Sequence, residues 1–280
     1  MPAADDTMHR ANQLKIAYLM SAERDIAGAG TPNFRYLICS VPRSGSSLVA
    51  QMLTDTGIAG DPLEYLNPAY IRANLAQHPE MRMRPGMPLN EYLAAIEWRR
   101  TTANGLFGIK LHHSHFSRYW AEAPDGGARF LRRFERVLLI HRRDKAAQAV
   151  SYFRAQHSGS WSSLTDRFAA AGDGRPAEPA YDAAALGEIL AYLIAQEHGW
   201  RKCLEQNGIM YAQIAYEDFI SDYEGGSRRV LDLLGLDGAK ARIPPAGLDR
   251  QGRPDCPLVS RFKRDLGMDA NPAAGRELRT

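Results

Sequence analysis

Residues 34–41 (Phe-Arg-Tyr-Leu-Ile-Cys-Ser-Val) form a short apolar, partly β-branched run that stops at Pro42. A helical pattern follows through Leu48, Met52 and Leu53 and ends at Gly57. Strand, tight loop and helix is the reading, and similar apolar runs at 106–111, 136–140 and 209–215 each precede helical sequence. Strands alternating with helices predict an α/β fold, a mostly parallel β-sheet flanked by helices. The first strand should be central, with ligands at the C-terminal strand ends. The longest predicted helix runs from a cap at Asp182 to a stop at Asn207-Gly208, with a core stripe of Leu186, Ile189, Leu190, Leu193, Ile194 and Leu204. Gly, Ser, Pro and Asp dominate residues 156–181, which read as a long mobile segment over a site. No internal repeat is present, so one domain over 34–270 is expected, with an N-terminal extension (1–33) and a C-terminal tail (271–280).

Composition narrows the function classes. Of 280 residues, 45% are hydrophobic and 24% charged, which excludes wholesale disorder, collagen and coiled coil. Thirty-five Lys and Arg against 32 Asp and Glu leave a net charge of only +3, too little for a general nucleic-acid field, so an anion site must be local. Cys39, Cys203 and Cys256 have unrelated spacings, as expected of free thiols in a reducing compartment. The start carries Asp5 and Asp6 ahead of a short apolar piece rather than a signal peptide, and no apolar run reaches bilayer length. A cytoplasmic protein is expected.

The chemistry is concentrated at two strand ends. In Pro42-Arg43-Ser44-Gly45-Ser46-Ser47, backbone N–H groups and the positive end of the helix dipole converge after the first strand. Gly45 lets the backbone approach an anion, Ser46 and Ser47 offer hydroxyls, and Arg43 adds a charge. A nucleoside-triphosphate P-loop would need a second glycine and a following Lys, so Mg²⁺-triphosphate chemistry is disfavoured. After the third strand, His141-Arg142-Arg143-Asp144 leads into a helix with Gln148 and Ser151. That is either a second phosphate site, a guanidinium fork plus a neutral donor, or a salt-bridge cluster around Asp144.

These segments resemble sulfotransferases that use 3′-phosphoadenosine 5′-phosphosulfate (PAPS). Pro42 to Ser47 is similar to their 5′-phosphosulfate loop, and Arg142 or Arg143 with Ser151 to the pair that holds the 3′-phosphate. Tyr216, in Tyr216-Glu217-Asp218, is similar to the tyrosine near the adenine, and Arg250-Gln251-Gly252 is loosely similar to a late segment over the 3′-phosphate. Residues 57–65 (Gly-Ile-Ala-Gly-Asp-Pro-Leu-Glu-Tyr), 107–111, 149–155 and 195–201 look like the bacterial trehalose 2-sulfotransferase-like family, over about residues 36–263.

The resemblance implies sulfuryl transfer from PAPS to a hydroxyl of a carbohydrate, glycolipid or related small molecule, leaving PAP. It needs no metal and no nucleic acid, and relatives are commonly homodimers. It also implies Glu64 as general base and Arg43 as partner of the leaving phosphate. A dry site would raise the pKa of Glu64. Lys110-Leu111-His112 is similar to the Lys-x-His of animal cytosolic sulfotransferases, which makes His112 a competing base; Lys110 is either a buried, satisfied amine or a polariser of the sulfuryl group. Zinc at His112, His113 and His115 is disfavoured because adjacent histidines on a strand end point apart. Acceptor specificity is expected in residues 67–88 and 156–181, with Trp161 and Tyr181 as sugar-stacking candidates. Two other classes stay open: a nucleotide-dependent small-molecule kinase with an atypical phosphate loop, and a non-catalytic nucleotide- or glycan-binding protein of the same fold.

Overall fold

The computed structural model describes residues 3–26, 30–78, 89–169, 177–248 and 256–268. A first helix, α1 (Ala3–Leu19), precedes β1 (Phe34–Ser40), which runs into α2 (Ser46–Asp55); α3 (Pro68–Gln77) and α4 (Leu89–Arg100) lead to β2 (Leu106–His112). Helices α5 (His113–Trp120) and α6 (Ala128–Leu131) connect to β3 (Arg136–His141), and α7 (Lys145–Ser158), α8 (Ser163–Asp166) and α9 (Ala183–Gln206) follow. The chain then forms β4 (Ala212–Ala215), α10 (Tyr216–Ser221), α11 (Tyr223–Leu233) and α12 (Pro257–Asp265).

The strands pair in the order β2-β1-β3-β4, each pairing parallel, so β1 is interior as expected. The first three strands lie within a residue or so of their predicted positions. The fourth is shorter than the predicted 209–215 because its start belongs to the preceding helix end. Gly208 adopts φ +63° and the Ile209 N–H donates back to Leu204 O at 2.9 Å. That is a Schellman-type stop.

Alternation along the strands builds two cores, since successive side chains point to opposite faces and helices cover both. Leu37, Cys39, Ile109, Leu111, Val137 and Leu139 pack with α7 and α9 residues such as Val150, Phe153 and Leu193. Tyr36, Ile38, Leu138, Ile140 and Ile214 pack instead with Val49, Met52, Leu53, Phe219 and Leu231. On α9, Leu186, Ile189, Leu193 and Leu204 are buried and Leu190 is partly buried, but Ile194 is 48% exposed. It falls one residue past the buried edge of the stripe. Trp200 takes the inward place, and its Nε1 donates to Ser40 O at 2.8 Å. Among the described residues no helix is long and apolar enough to cross a membrane.

A buried ionic knot fixes the turn that precedes Glu64. Asp61, 3% exposed, accepts from Arg100 Nη1 at 2.9 Å, Arg24 Nη2 at 3.1 Å and Thr54 Oγ1 at 2.8 Å. Arg100 is itself 1% exposed. Removing the carboxylate would break a buried ion pair and leave Arg100 with Asp25 as its remaining carboxylate partner, a loss of about 3 kcal/mol, the low end for a broken buried pair. Asp61→Ala should therefore lower the urea midpoint by that order, measured by circular dichroism, whereas Asp237→Ala, at an exposed Lys240 pair, should change stability by about 0.5 kcal/mol or less.

Candidate active site

The loop after β1 is shaped by two left-handed residues. Gly45, the N-cap of α2, has φ +89°, and Arg43 has φ +63°, a conformation that costs a non-glycine residue roughly 1–2 kcal/mol. A Cβ on Gly45 would come within 2.3 Å of the Tyr216 ring, so only glycine fits beneath that ring. The first N–H groups of a helix have no intrahelical acceptor, which leaves the start of α2 ready for an anion. Ser44 is fully buried, and its Oγ has no hydrogen-bond partner among the described residues.

Helix α7 braces this loop. Asp144 caps it, accepting from Ala147 N at 2.9 Å and pairing with Lys263 of α12 at 2.6 Å. One turn on, Gln148 Nε2 donates to Pro42 O at 2.8 Å. Arg43 Nε donates to Ser151 Oγ at 2.9 Å, and Arg43 Nη1 donates to Trp161 O. Burial, reinforced by the neighbouring Arg142, lowers the Arg43 pKa to about 10, so the guanidinium stays charged at neutral pH. The sequence pairs Ser151 with Arg142 or Arg143; the structure puts it on Arg43.

The two arginines after β3 diverge. Arg142 lies over the Tyr216 ring, 4.9 Å from its centroid, and its buried Nε has no hydrogen-bond partner among the described residues. Arg143 turns outward, where Asp218 and Glu217 hold it, and does not line the cavity. Arg250, with Gln251 and Gly252, lies outside the described residues.

The two candidate bases touch. Glu64 Oε1 is 3.1 Å from Lys110 Nζ and 3.3 Å from His112 Nε2, while Oε2 accepts from Asn67 Nδ2 at 2.9 Å. Ser40 Oγ holds His112 Nδ1 at 3.0 Å, and Lys110 Nζ also donates to Ser47 Oγ at 2.9 Å. Burial alone would raise the Glu64 pKa, but Lys110 and His112 outweigh it and hold the carboxyl well below its ordinary value. The expected upward shift is thus reversed, because a dry carboxylate with an ammonium beside it ionises more readily. His113 turns away against Trp200, and burial lowers His115 to about 4, keeping it neutral.

Arg43, Gly45 to Ser47, Glu64, Lys110, His112, His115, Arg142 and Ser151 open onto one cavity of about 630 Å³, whereas Ser44, His113 and Arg143 do not line it. Residues at or just beyond the C-terminal ends of the four strands line it: Pro42, Arg43 and Gly45 to Ser47; Lys110 and His112; Arg142; and Tyr216. Trp161 lines it too, edge-on to Tyr152. Tyr181 does not; its hydroxyl bonds Asp265 and its ring sits under Arg261. Of the two stretches expected to set acceptor specificity, Asn67, Ala69, Tyr70 and residues 161–164 reach the cavity, whereas 79–88 and 170–176 lie outside the described residues.

Sequence reasoning missed one wall. Asn12, Lys15, Ile16 and Leu19 of α1 line the cavity. The available signal was a helical stripe, Met8, Ala11, Asn12, Lys15, Ile16 and Leu19, with two polar residues in its middle. Burial lowers the Lys15 pKa from 10.5 to about 8, against the pull of Glu64. Holding this ammonium inside costs about 3 kcal/mol at neutral pH.

The residues at the start of α2 fit an anion. Two buried, unpartnered polar atoms, Ser44 Oγ and Arg142 Nε, flank a helix N-terminus, with Arg43 and Lys110 charged beside it. Residues 35–265 match the family model described as Stf0 sulphotransferase. Proteins named trehalose 2-sulfotransferase are similar at 29% identity: one from Mycobacterium tuberculosis (77% of this chain, 89% of that one) and one from Mycolicibacterium smegmatis (85% and 97%). A crystal structure of a sulfotransferase from Alicyclobacillus acidocaldarius is similar at a TM-score of 0.43 and 14% identity, over 87% of this chain and 98% of that one.

The Glu64 environment has a pH signature. Its folded pKa lies below the unfolded one, so its contribution is present above the ordinary value of 4.5 and is lost as pH falls through the folded pKa. Thermal melts from pH 7 down to pH 3 should show stability falling below about pH 4.5, with a shallower fall in Glu64→Gln. Equal slopes in the two proteins would contradict this assignment.

Proposed function

The chain belongs to the Stf0 sulphotransferase family, and we propose that it transfers a sulfuryl group from PAPS to a hydroxyl of a carbohydrate, trehalose or a close relative, leaving PAP. The observation that carries this reading is the position of Lys110: one ammonium bonds Ser47 of the phosphate loop on one side and Glu64 on the other. Donor loop and base therefore share one cation.

PAPS supplies an activated sulfuryl group on its 5′-phosphate; everything else falls to the chain. Ser44 to Ser47 and the start of α2 receive the 5′ anion, and Arg43 stabilises charge growing on the leaving phosphate oxygen. Arg142 holds the 3′-phosphate, Ser151 orients the Arg43 guanidinium, and the Tyr216 ring packs the adenine. Glu64, ionised because of Lys110 and His112, accepts the proton of the acceptor hydroxyl. As that proton arrives the carboxylate becomes neutral, and Lys110 is left to direct its charge at the phosphate loop. His112, anchored by Ser40, keeps the carboxylate oriented. The reaction as read here runs through these side chains alone and calls for no metal.

Incubation with PAPS and a panel of trehalose, maltose, sucrose and glucose, followed by mass detection, tests the activity. A sugar gaining one sulfuryl group is expected; no product, together with thermal stabilisation by Mg²⁺-ATP but not by PAP, would instead favour a kinase. Glu64→Gln should lower kcat by about 10²- to 10⁴-fold while PAP binding is retained. Its low pKa predicts a rate already flat above about pH 5, and a rate that still rises toward neutrality would contradict Glu64 as the base. Calorimetry should show PAP binding weakened by about 1.5–3 kcal/mol in Arg142→Ala and unaffected in Arg143→Ala.

A further inference from the structure

Helix α1 precedes the stretch that matches the family model, yet it forms one wall of the cavity. It packs on α3, α7 and α8, and a helix buried in that way would ordinarily present an apolar stripe. Met8, Ala11, Ile16 and Leu19 follow that rule and are buried. Asn12 and Lys15, on the same stripe and at the cavity, break it.

Neither polar group is satisfied by the protein alone. Lys15 is 5% exposed, and its Nζ makes one hydrogen bond, 3.2 Å to Thr165 Oγ1 of α8, which leaves two of its three N–H donors over. One turn earlier, Asn12 Oδ1 is buried without a hydrogen-bond partner among the described residues. Ile16, Leu19, Leu63 and Tyr70 line the cavity around the two. Glu64 exerts the largest favourable charge effect on Lys15, whereas Lys110 and Arg43 oppose it. A structural lysine would be kept where it stabilises the fold; burial drives this one's pKa down.

We propose that the face of α1 bearing Asn12 and Lys15 is the acceptor subsite. It selects a polyhydroxylated ring by donating from Lys15 and accepting at Asn12 Oδ1 through hydroxyls that are not themselves sulfated. Ile16, Leu19 and Tyr70 cover the apolar C–H faces of the same ring. A sugar offers this alternation of hydroxyls and C–H patches, which a flat apolar alcohol lacks. The inference rests on the sulfotransferase reading and adds the part of the chain that chooses the acceptor.

Steady-state kinetics of Lys15→Met and Asn12→Ala, with PAPS and the same sugar panel, tests it. The expected result is an acceptor KM raised about tenfold or more in each, the loss of one hydrogen bond to a charged or buried group. The change in kcat should be smaller, and the Kd for PAP unchanged. Lys15→Met should melt no lower than the parent, which separates weaker acceptor binding from unfolding. Asn12→Ala leaves the Lys15 to Thr165 bond in place and serves as the second variant. Unchanged acceptor KM in both variants overturns the proposal, as does a loss of PAP affinity, which would move α1 to the donor side. If the unaltered protein sulfates no sugar of the panel, the carbohydrate-acceptor reading falls and this inference with it. If it does so and both variants match its KM, the α1 subsite alone falls.

Discussion

The parallel register between β1 and β2 is the constraint on which the site depends. It sets Ile38 beside Lys110 and Ser40 beside His112. Because side chains alternate along a strand, Lys110 and His112 emerge on one face and both reach Glu64, while Leu111 between them enters the core with Leu37 and Cys39. A slip of one residue would send both polar side chains into that apolar layer and Leu111 toward the carboxylate. The core thus fixes the electrostatics: apolar packing on one face leaves the polar pair no alternative position.

Charge balance inside the cavity is uneven. Among the described residues, Arg43, Arg142, Lys110 and Lys15 share it with the single carboxylate of Glu64. Burial and mutual repulsion lower the pKa values of Arg43 and Lys15, the cost of keeping cations together in a dry space. An anionic ligand relieves that repulsion, so occupancy and folding stability are linked. Asp61, tied to Arg24 and Arg100 just ahead of Glu64, shows the opposite arrangement, where buried charges are paired off and serve only to hold a turn.

Much of this was legible in the sequence because it is local. The apolar runs marked the strands, and the Pro-Arg-Ser-Gly-Ser-Ser string marked the phosphate-type loop whose N-cap glycine the structure shows. The Asp182 cap and the Asn207-Gly208 stop marked α9 to the residue. What escaped depends on distant partners. Ser151 bonds a residue 108 positions away, so its partner cannot be read from spacing. Arg142 and Arg143 are adjacent and chemically identical, and only the carboxylates of Glu217 and Asp218 separate their roles. Lys15 meets Thr165 across 150 residues, and nothing in a helical stripe says whether a polar member faces water or a cavity. The sign of the Glu64 shift required knowing that Lys110 arrives beside it.

Arg43 carries a different kind of consequence. Its φ of +63° is one that glycine would adopt freely, yet its guanidinium is what grips Ser151 and the Trp161 carbonyl. Selection for thermal robustness and selection for chemistry therefore pull this position in opposite directions. Glycine at residue 43 would relax the left-handed backbone and give up both of those bonds, so the loop cannot shed the strain and keep its brace to α7 together. Backbone relaxation there is a direct route by which a descendant of this chain could keep the fold and lose the tie between the loop after β1 and helix α7.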